Sequence, residues 1–253
     1  MPAKQQRVIG VIPARYESSR FPGKILAEIA GKPMIQWVYE QTQKSKSLDE
    51  LYVAVDDPRV RACVEGFGGH AVMTGSQHQS GTDRIAEVVE KIPGDIVVNV
   101  QGDQPLIDPI MIDEAVQPLL DHPDIPMSTI KTLIRNQADL TNPNVVKVVT
   151  DEHGFALYFS RSLIPYARDN KAVNVYEHIG LYVYRKDFLL QYSKWPTGYL
   201  EKIEMLEQLR VMEKGHKIMV VQTQSQNAAM GGFSVDTPED LERVEKYIRH
   251  KMG

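Results

Sequence analysis

Between residues 8 and 100, short apolar runs alternate with longer amphipathic segments, and this pattern constrains the fold more than any other feature of the chain. Val8–Ile12, Leu51–Val55, His70–Thr74 and Asp95–Val100 read as buried strands with little internal alternation. The segments between them read as helices over Pro33–Lys46, Pro58–Phe67 and Thr82–Ile92. Pro13 is expected to stop the first strand, Pro33 suits a first helical turn, and Gly68-Gly69 ends the second helix. Strands and helices at this spacing imply right-handed βαβ units, so the expected fold class is α/β, with a Rossmann-like, mostly parallel sheet.

The alternation changes near residue 125. Met127–Ile134 and His178–Tyr184 read as strands, and Val145–Val149 and Phe155–Phe159 as a hairpin turning at Thr150–Gly154. Leu200–Lys214 reads as one helix closed by Gly215, His216–Gln222 as a further strand, and the last helix starts near Pro238. With no Pro/Gly-rich linker and no internal repeat, residues 1–253 are expected to form a single α/β domain. Residues 127–215 would be an inserted lobe of more antiparallel character within it.

Composition excludes more than it selects. A chain of 253 residues with 42% hydrophobic and 25% charged residues has enough apolar material for one large core. A net charge of −4 argues against nucleic acid as a partner. No apolar run nears the roughly 18 residues of a membrane span, so no membrane partner is expected. The single cysteine, Cys63, rules out an intrachain disulfide and reads as packing inside a helix. The first residues lack a signal-peptide apolar region, and the expected location is cytoplasmic.

The loop after the first strand carries Arg15, Arg20 and Lys24, with Ser18, Ser19 and Gly23. A loop at the carboxyl end of the first strand of an α/β sheet is a usual ligand position. Arginine forks and a lysine point charge suit phosphate oxygens. The loop matches neither G-x-x-x-x-G-K-[ST] nor G-x-G-x-x-G, so the residues alone define an anion site and nothing narrower.

Further along, Gln101-Gly102-Asp103-Gln104-Pro105 follows an apolar strand. Asp103 is there either a ligand for a divalent cation or a cap for the next turn. In Ser234-Val235-Asp236-Thr237-Pro238-Glu239-Asp240, Thr237, Pro238 and Asp240 are explained by a helix start, whereas Asp236 lies ahead of the cap. His78-Gln79-Ser80-Gly81-Thr82-Asp83-Arg84 opens a helix and offers hydroxyls and a cation to a nucleotide. The histidines show no H-E-x-x-H pattern and there is no G-x-S-x-G, so neither zinc nor serine-hydrolase chemistry is expected.

The string I-P-A-R-x-x-S-x-R-x-P-G-K, followed by Gly31-Lys32-Pro33-Met34-Ile35, resembles the signature loop of sugar nucleotidyltransferases. It is most similar to that of the 3-deoxy-manno-octulosonate (Kdo) cytidylyltransferases, and the resemblance runs in ordered motifs from Ile9 to Leu241. It implies a nucleotide-diphospho-sugar transferase type of fold. It also implies transfer of CMP from CTP to the anomeric hydroxyl of Kdo, with release of pyrophosphate, for lipopolysaccharide synthesis. Carried over by motif, Pro13, Ala14, Arg15, Lys24, Ser80, Gly81 and Arg84 bind the nucleotide. Asp103 and Asp236 hold Mg²⁺, and Arg15 and Lys24 join them as catalytic residues. Gln101, His178, Tyr182, Glu207 and Gln208 bind the sugar, and the lobe carries a homodimer contact.

Glu177 departs from this pattern, because the family often has a basic residue just before the matching histidine. An acid facing the sugar would suit an amino-bearing relative such as 8-amino-Kdo. Another nucleotidyltransferase of the same fold, and a non-catalytic nucleotide-sugar binder, are the competing expectations. The presence of Lys24, Asp103 and Asp236 together speaks against the binder.

Overall fold

The computed structural model describes residues 6–17, 21–78, 80–169, 173–227 and 234–252. In chain order it has β1 (Val8–Ala14), the short strands β2 (Glu28–Ile29) and β3 (Lys32–Pro33), α1 (Met34–Thr42), β4 (Glu50–Val55), α2 (Pro58–Gly66) and β5 (Ala71–Met73). Then come α3 (Gly81–Lys91), β6 (Ile96–Asn99), α4 (Pro109–Asp121), β7 (Met127–Leu133), β8 (Lys147–Thr150), β9 (Ala156–Ser160) and β10 (Tyr176–Arg185). The chain closes with α5 (Lys186–Tyr192), α6 (Tyr199–Glu204), α7 (Leu209–Glu213), β11 (Met219–Gln222) and α8 (Pro238–Met252).

The main sheet runs β11-β7-β10-β6-β1-β4-β5, with the β8–β9 hairpin attached to β10. Strands β5, β4, β1 and β6 are mutually parallel, as are β7 and β11; β10 alone runs antiparallel to its neighbours β6 and β7. The expected α/β sheet is therefore present. Residues 127–215 supply β7 and β10 to the middle of that sheet as well as the hairpin at its side. Their apolar side chains pack on both faces. Ile12, Val53, Val98 and Leu181 join one core with α1 and α4, while Ile9, Val11, Val97 and Tyr184 join another with α3 and α5. Burial on both faces is why these strands read as continuous apolar runs.

Chain order reverses at β1, which has β4 on one side and β6 on the other. Such a switch point opens a crevice at the carboxyl ends of the strands. β1 does not stop at Pro13 but runs on to Ala14. The Val11 carbonyl accepts from Val100 N–H at 3.2 Å, whereas Pro13 lies past the last β1–β6 pair. Pro13 thus points its missing donor where no ladder bond is made. Pro33 likewise ends β3 by pairing with Glu28, and α1 begins one residue later.

Three helical segments differ from expectation. α4 and α5 were not anticipated; α4 is capped by Asp108, whose side chain accepts from Ile110 N–H at 3.2 Å, and it contains Pro118. The helix expected over Leu200–Lys214 is two helices, broken at Met205 in the left-handed region (φ 52°). Arg161 satisfies the carbonyls freed by the break. Its Nε donates to Glu204 O at 2.7 Å and its Nη2 to Met205 O at 3.2 Å, while Glu204 accepts from Ser160 Oγ at 2.7 Å. Gly215 ends α7 at φ 78°, in its expected role.

Candidate active site

At the switch point lies an open cavity of about 810 Å³. Pro13, Arg15, Tyr16, Glu17, Pro22, Lys24 and Ile25 line it from the loop after β1, and Gln101, Gly102 and Asp103 from the loop after β6. Gly81, at the start of α3, and Asp236, just before α8, complete the wall. Of the expected residues, Pro13, Arg15, Lys24, Gly81, Gln101, Asp103 and Asp236 therefore meet in one place. Arg20, Ser18, Ser19 and Gln79 lie outside the described residues.

Local backbone geometry builds this wall. Gly102 passes so close to β1 that a Cβ there would sit 2.7 Å from Pro13 O and 2.9 Å from Ile25 Cδ1, so only glycine fits. Gly23 adopts φ 71° and donates its N–H to Tyr16 O at 3.0 Å, which closes the loop and delivers Lys24 to the cavity. The Tyr16 ring lies close to Gly23, and the Arg59 guanidinium sits 3.5 Å from the ring centre. Val235 N–H donates to Asp103 O at 2.9 Å, stitching the segment before α8 to the loop after β6.

Those two segments bring the carboxylates together around one lysine. Lys24 Nζ donates to Asp103 Oδ2 at 2.9 Å, Asp236 Oδ1 at 3.2 Å and Val235 O at 3.0 Å. Burial would push the Lys24 ammonium down, but the adjoining Asp103 and Asp236 outweigh it and hold its pKa above the usual value. Among the described residues, no group of three or more His, Cys, Asp or Glu side chains is placed to hold a metal. Two convergent carboxylates nonetheless fit Mg²⁺, which binds one or two carboxylates and completes its shell with waters and substrate phosphates.

Ser80 caps α3, accepting from Asp83 N–H at 3.1 Å, with Asp83 returning the bond from Ser80 N–H at 3.3 Å. Ala14 is fully buried in β1 opposite Val55. Arg84 is also fully buried, and its Nη2 donates to Asp56 Oδ2 at 2.8 Å and its Nη1 to Gly75 O at 3.2 Å. Asp56 in turn accepts from Tyr16 N–H at 3.1 Å. In this structure Arg84 thus anchors the loop after β1 through Asp56, and its side chain is not part of the cavity wall. Asp56, which has no role in the motifs of the sequence, is the residue that joins them.

Of the expected sugar-binding residues, Gln101 lines the cavity, whereas His178, Tyr182, Glu207 and Gln208 belong to a second, largely buried polar cluster. His178 Nε2 pairs with Thr129 Oγ1 at 2.9 Å, and its ring meets Phe159 edge-on. Burial pulls the His178 imidazole down to about 3, so it is neutral near pH 7. Tyr182 OH donates to Gln208 Oε1 at 3.1 Å, and Thr82 Oγ1 donates to Glu207 Oε2 at 2.9 Å. Burial raises the Glu207 carboxyl. Among the described residues, Glu207 Oε1, Gln208 Nε2 and Gln104 Oε1 are buried with no partner. Gly180, within about 4 Å of Gln101 and Gln104 were it to carry a Cβ, links the cluster to the cavity rim, as does Thr82 next to Gly81.

Glu177 does not belong to this cluster. Its strand partners are Thr132 and Lys147, and its charged neighbours are Asp139 and Lys147. Neighbouring strand residues point to opposite faces, so Glu177 faces away from His178. The reason for expecting an amino sugar is thereby removed.

A family profile described as Cytidylyltransferase matches residues 9–218. A 3-deoxy-manno-octulosonate cytidylyltransferase from Syntrophotalea carbinolica is 54% identical over 251 residues, covering 96% of this chain and 98% of that protein. The protein of the same name from Geobacter sulfurreducens is 50% identical over 253 residues, covering 96% and 99%. Among solved structures, a CMP:2-keto-3-deoxy-manno-octonic acid synthetase complexed with CTP superposes with a TM-score of 0.91 at 43% identity, covering 97% of this chain and 99% of that one. A 4-diphosphocytidyl-2C-methyl-D-erythritol synthase from Anaerococcus prevotii shares the fold alone, at a TM-score of 0.62 and 13% identity. With these likenesses spanning nearly its whole length, the chain belongs to the 3-deoxy-manno-octulosonate cytidylyltransferase family.

Proposed function

We propose that the chain transfers CMP from CTP to the anomeric hydroxyl of Kdo, releasing pyrophosphate, in the service of lipopolysaccharide synthesis. The observation that carries this reading is the convergence of Lys24, Asp103 and Asp236 at a cavity also lined by Arg15. A binding protein needs a positive wall for a triphosphate but has no use for two carboxylates held at the same point.

Catalysis would rest on positioning and charge neutralisation in an in-line displacement at the α-phosphorus. Arg15 and Lys24 hold phosphate oxygens, and Pro13 and Gly81 shape the nucleotide's wall. Mg²⁺ bound to Asp103 and Asp236 would offset phosphate charge and acidify the attacking hydroxyl. Gln101, His178, Tyr182, Glu207 and Gln208 orient the sugar through its hydroxyls. The unpartnered atoms on Glu207 and Gln208 are the acceptor and donor such hydroxyls satisfy. Neutral His178 accepts or donates at its ring without adding charge. A homodimer contact is proposed for the surface of α6 and the β8–β9 hairpin, where Leu157, Tyr199, Ile203 and Met205 are exposed.

The test is pyrophosphate release with CTP and Mg²⁺, with Kdo and 8-amino-Kdo side by side. Turnover with Kdo is expected; release with neither sugar sinks the proposal. Asp103→Asn and Asp236→Asn should each cut turnover by at least about a hundredfold while circular dichroism stays unchanged. Near-wild-type turnover in either variant removes that residue from the mechanism.

A further inference from the structure

Lys24 is fully used where it stands. An ammonium has three donors, and the three acceptors around Nζ are Asp103 Oδ2, Asp236 Oδ1 and Val235 O, at 2.9, 3.2 and 3.0 Å. Its side chain is only 16% exposed. All three acceptors come from the two segments that Val235 N–H and Asp103 O join, so the lysine, the carboxylates and the backbone form one closed unit. Mg²⁺ held by Asp103 and Asp236 would need the carboxylate oxygens that Nζ now engages. A monovalent and a divalent cation in contact with the same pair of oxygens repel each other strongly, so the two exclude one another.

We infer that Lys24 is a tethered stand-in for the divalent cation: in the nucleotide-free protein it holds Asp103 and Asp236 in place, and it gives them up only when a triphosphate offers it new acceptors. This rests on the proposed cytidylyltransferase function for the identity of the triphosphate. The loop geometry allows the exchange without refolding. Gly23 and Tyr16 are locked by their hydrogen bond and by the Arg59 stack, so the backbone at Lys24 is anchored. The four-carbon stem carries the ammonium across by side-chain rotation alone. Arg15 lines the same cavity and supplies phosphate contacts on arrival. Cation and nucleotide are then positively linked, because each weakens what Lys24 contributes to keeping the other out. The lysine also keeps two partly exposed carboxylates paired while the site waits.

The test uses the full chain without nucleotide or sugar, with Mn²⁺ as probe and the free-ion electron paramagnetic resonance signal as readout. Lys24→Met should bind Mn²⁺ at least about tenfold more tightly than wild type, within the usual range of coupling between sites. Lys24→Gln serves as a second variant should the methionine disturb folding, judged by circular dichroism. Arg15→Met, which removes a charge from the same cavity, should gain clearly less Mn²⁺ affinity than Lys24→Met, because it leaves the ammonium that holds both carboxylates in place. Lys24→Met/Asp103→Asn should lose the gain. Equal or weaker Mn²⁺ binding by both Lys24 variants overturns the inference, as does a gain in Arg15→Met as large as in Lys24→Met. Because no turnover is measured, failure of the pyrophosphate assay would leave this result intact, and failure here would leave the assay intact.

Discussion

The break between α6 and α7 is held by a buried ion pair, and removing that pair has a predictable cost. Arg210 donates through Nε to Glu201 Oε2 at 2.7 Å and through Nη2 to Glu201 Oε1 at 2.5 Å, and its guanidinium lies 5.0 Å from the centre of the Tyr192 ring. The two side chains are 9% and 10% exposed. Arg210→Met keeps the apolar stem but leaves the Glu201 carboxylate buried without its partner. Breaking a buried pair in this way costs about 3–5 kcal/mol. In a chain of this size each kcal/mol moves Tm by about 2–4 °C, so Tm should fall by roughly 6–20 °C. Glu201→Leu/Arg210→Met removes both charges, so it should recover at least about 1 kcal/mol of that loss. Calorimetry or urea unfolding of wild type, Glu201→Leu, Arg210→Met and the double variant decides the matter. A loss below about 1 kcal/mol in Arg210→Met, or a double variant as unstable as the two singles added together, refutes the reasoning. The same pair fixes the turn that presents Glu207 and Gln208. A folded Arg210→Met should therefore raise KM for the sugar while KM for CTP stays near wild type.

Three further predictions test separate links. Glu177 is raised to about 7 by burial and by Asp139, against an ordinary 4.5. The protonated form is favoured in the fold, so its stabilisation is complete below about pH 4.5 and is lost as pH rises through about 7. Relative to wild type, Glu177→Gln should gain at least about 1 kcal/mol between pH 5 and pH 8 in urea unfolding, and parallel pH profiles would refute this. Gly102→Ala places a methyl group against backbone at Pro13 O and should cut pyrophosphate release at least about tenfold while costing roughly 1–3 kcal/mol; wild-type kcat would show that the loop shifts freely. Met205→Gly removes a side chain that is 75% exposed from a left-handed residue and should raise stability by about 0.5–1 kcal/mol, where a lower Tm would mean that φ 52° carries no strain.

The strands around the switch point were legible because burial on both sheet faces forces uninterrupted apolar residues, and Val8–Ile12, Leu51–Val55 and Asp95–Val100 have no other simple reading. The cavity wall was legible in part from the fold class, which puts ligands in loops after strands such as those carrying Arg15 and Asp103, whereas Lys24, Gly81 and Asp236 were singled out by their places in the motifs of the resemblance. What escaped was everything decided by a distant partner. The periodicity of Leu200–Lys214 is helical throughout, and nothing within it announces that Arg161, just past the end of β9, will hold the carbonyls of Glu204 and Met205. Arg84 was legible as a cation near a helix start but not as the buried partner of Asp56, because motif spacing records which residues gather and not which of them face the solvent. Local chemistry thus specifies where each segment ends, while the pairs that close across the chain decide what those ends can touch. Glu177 illustrates the gap. Its neighbour His178 made it look like a specificity residue, yet the two-residue repeat of a strand turns it toward Lys147 and away from His178.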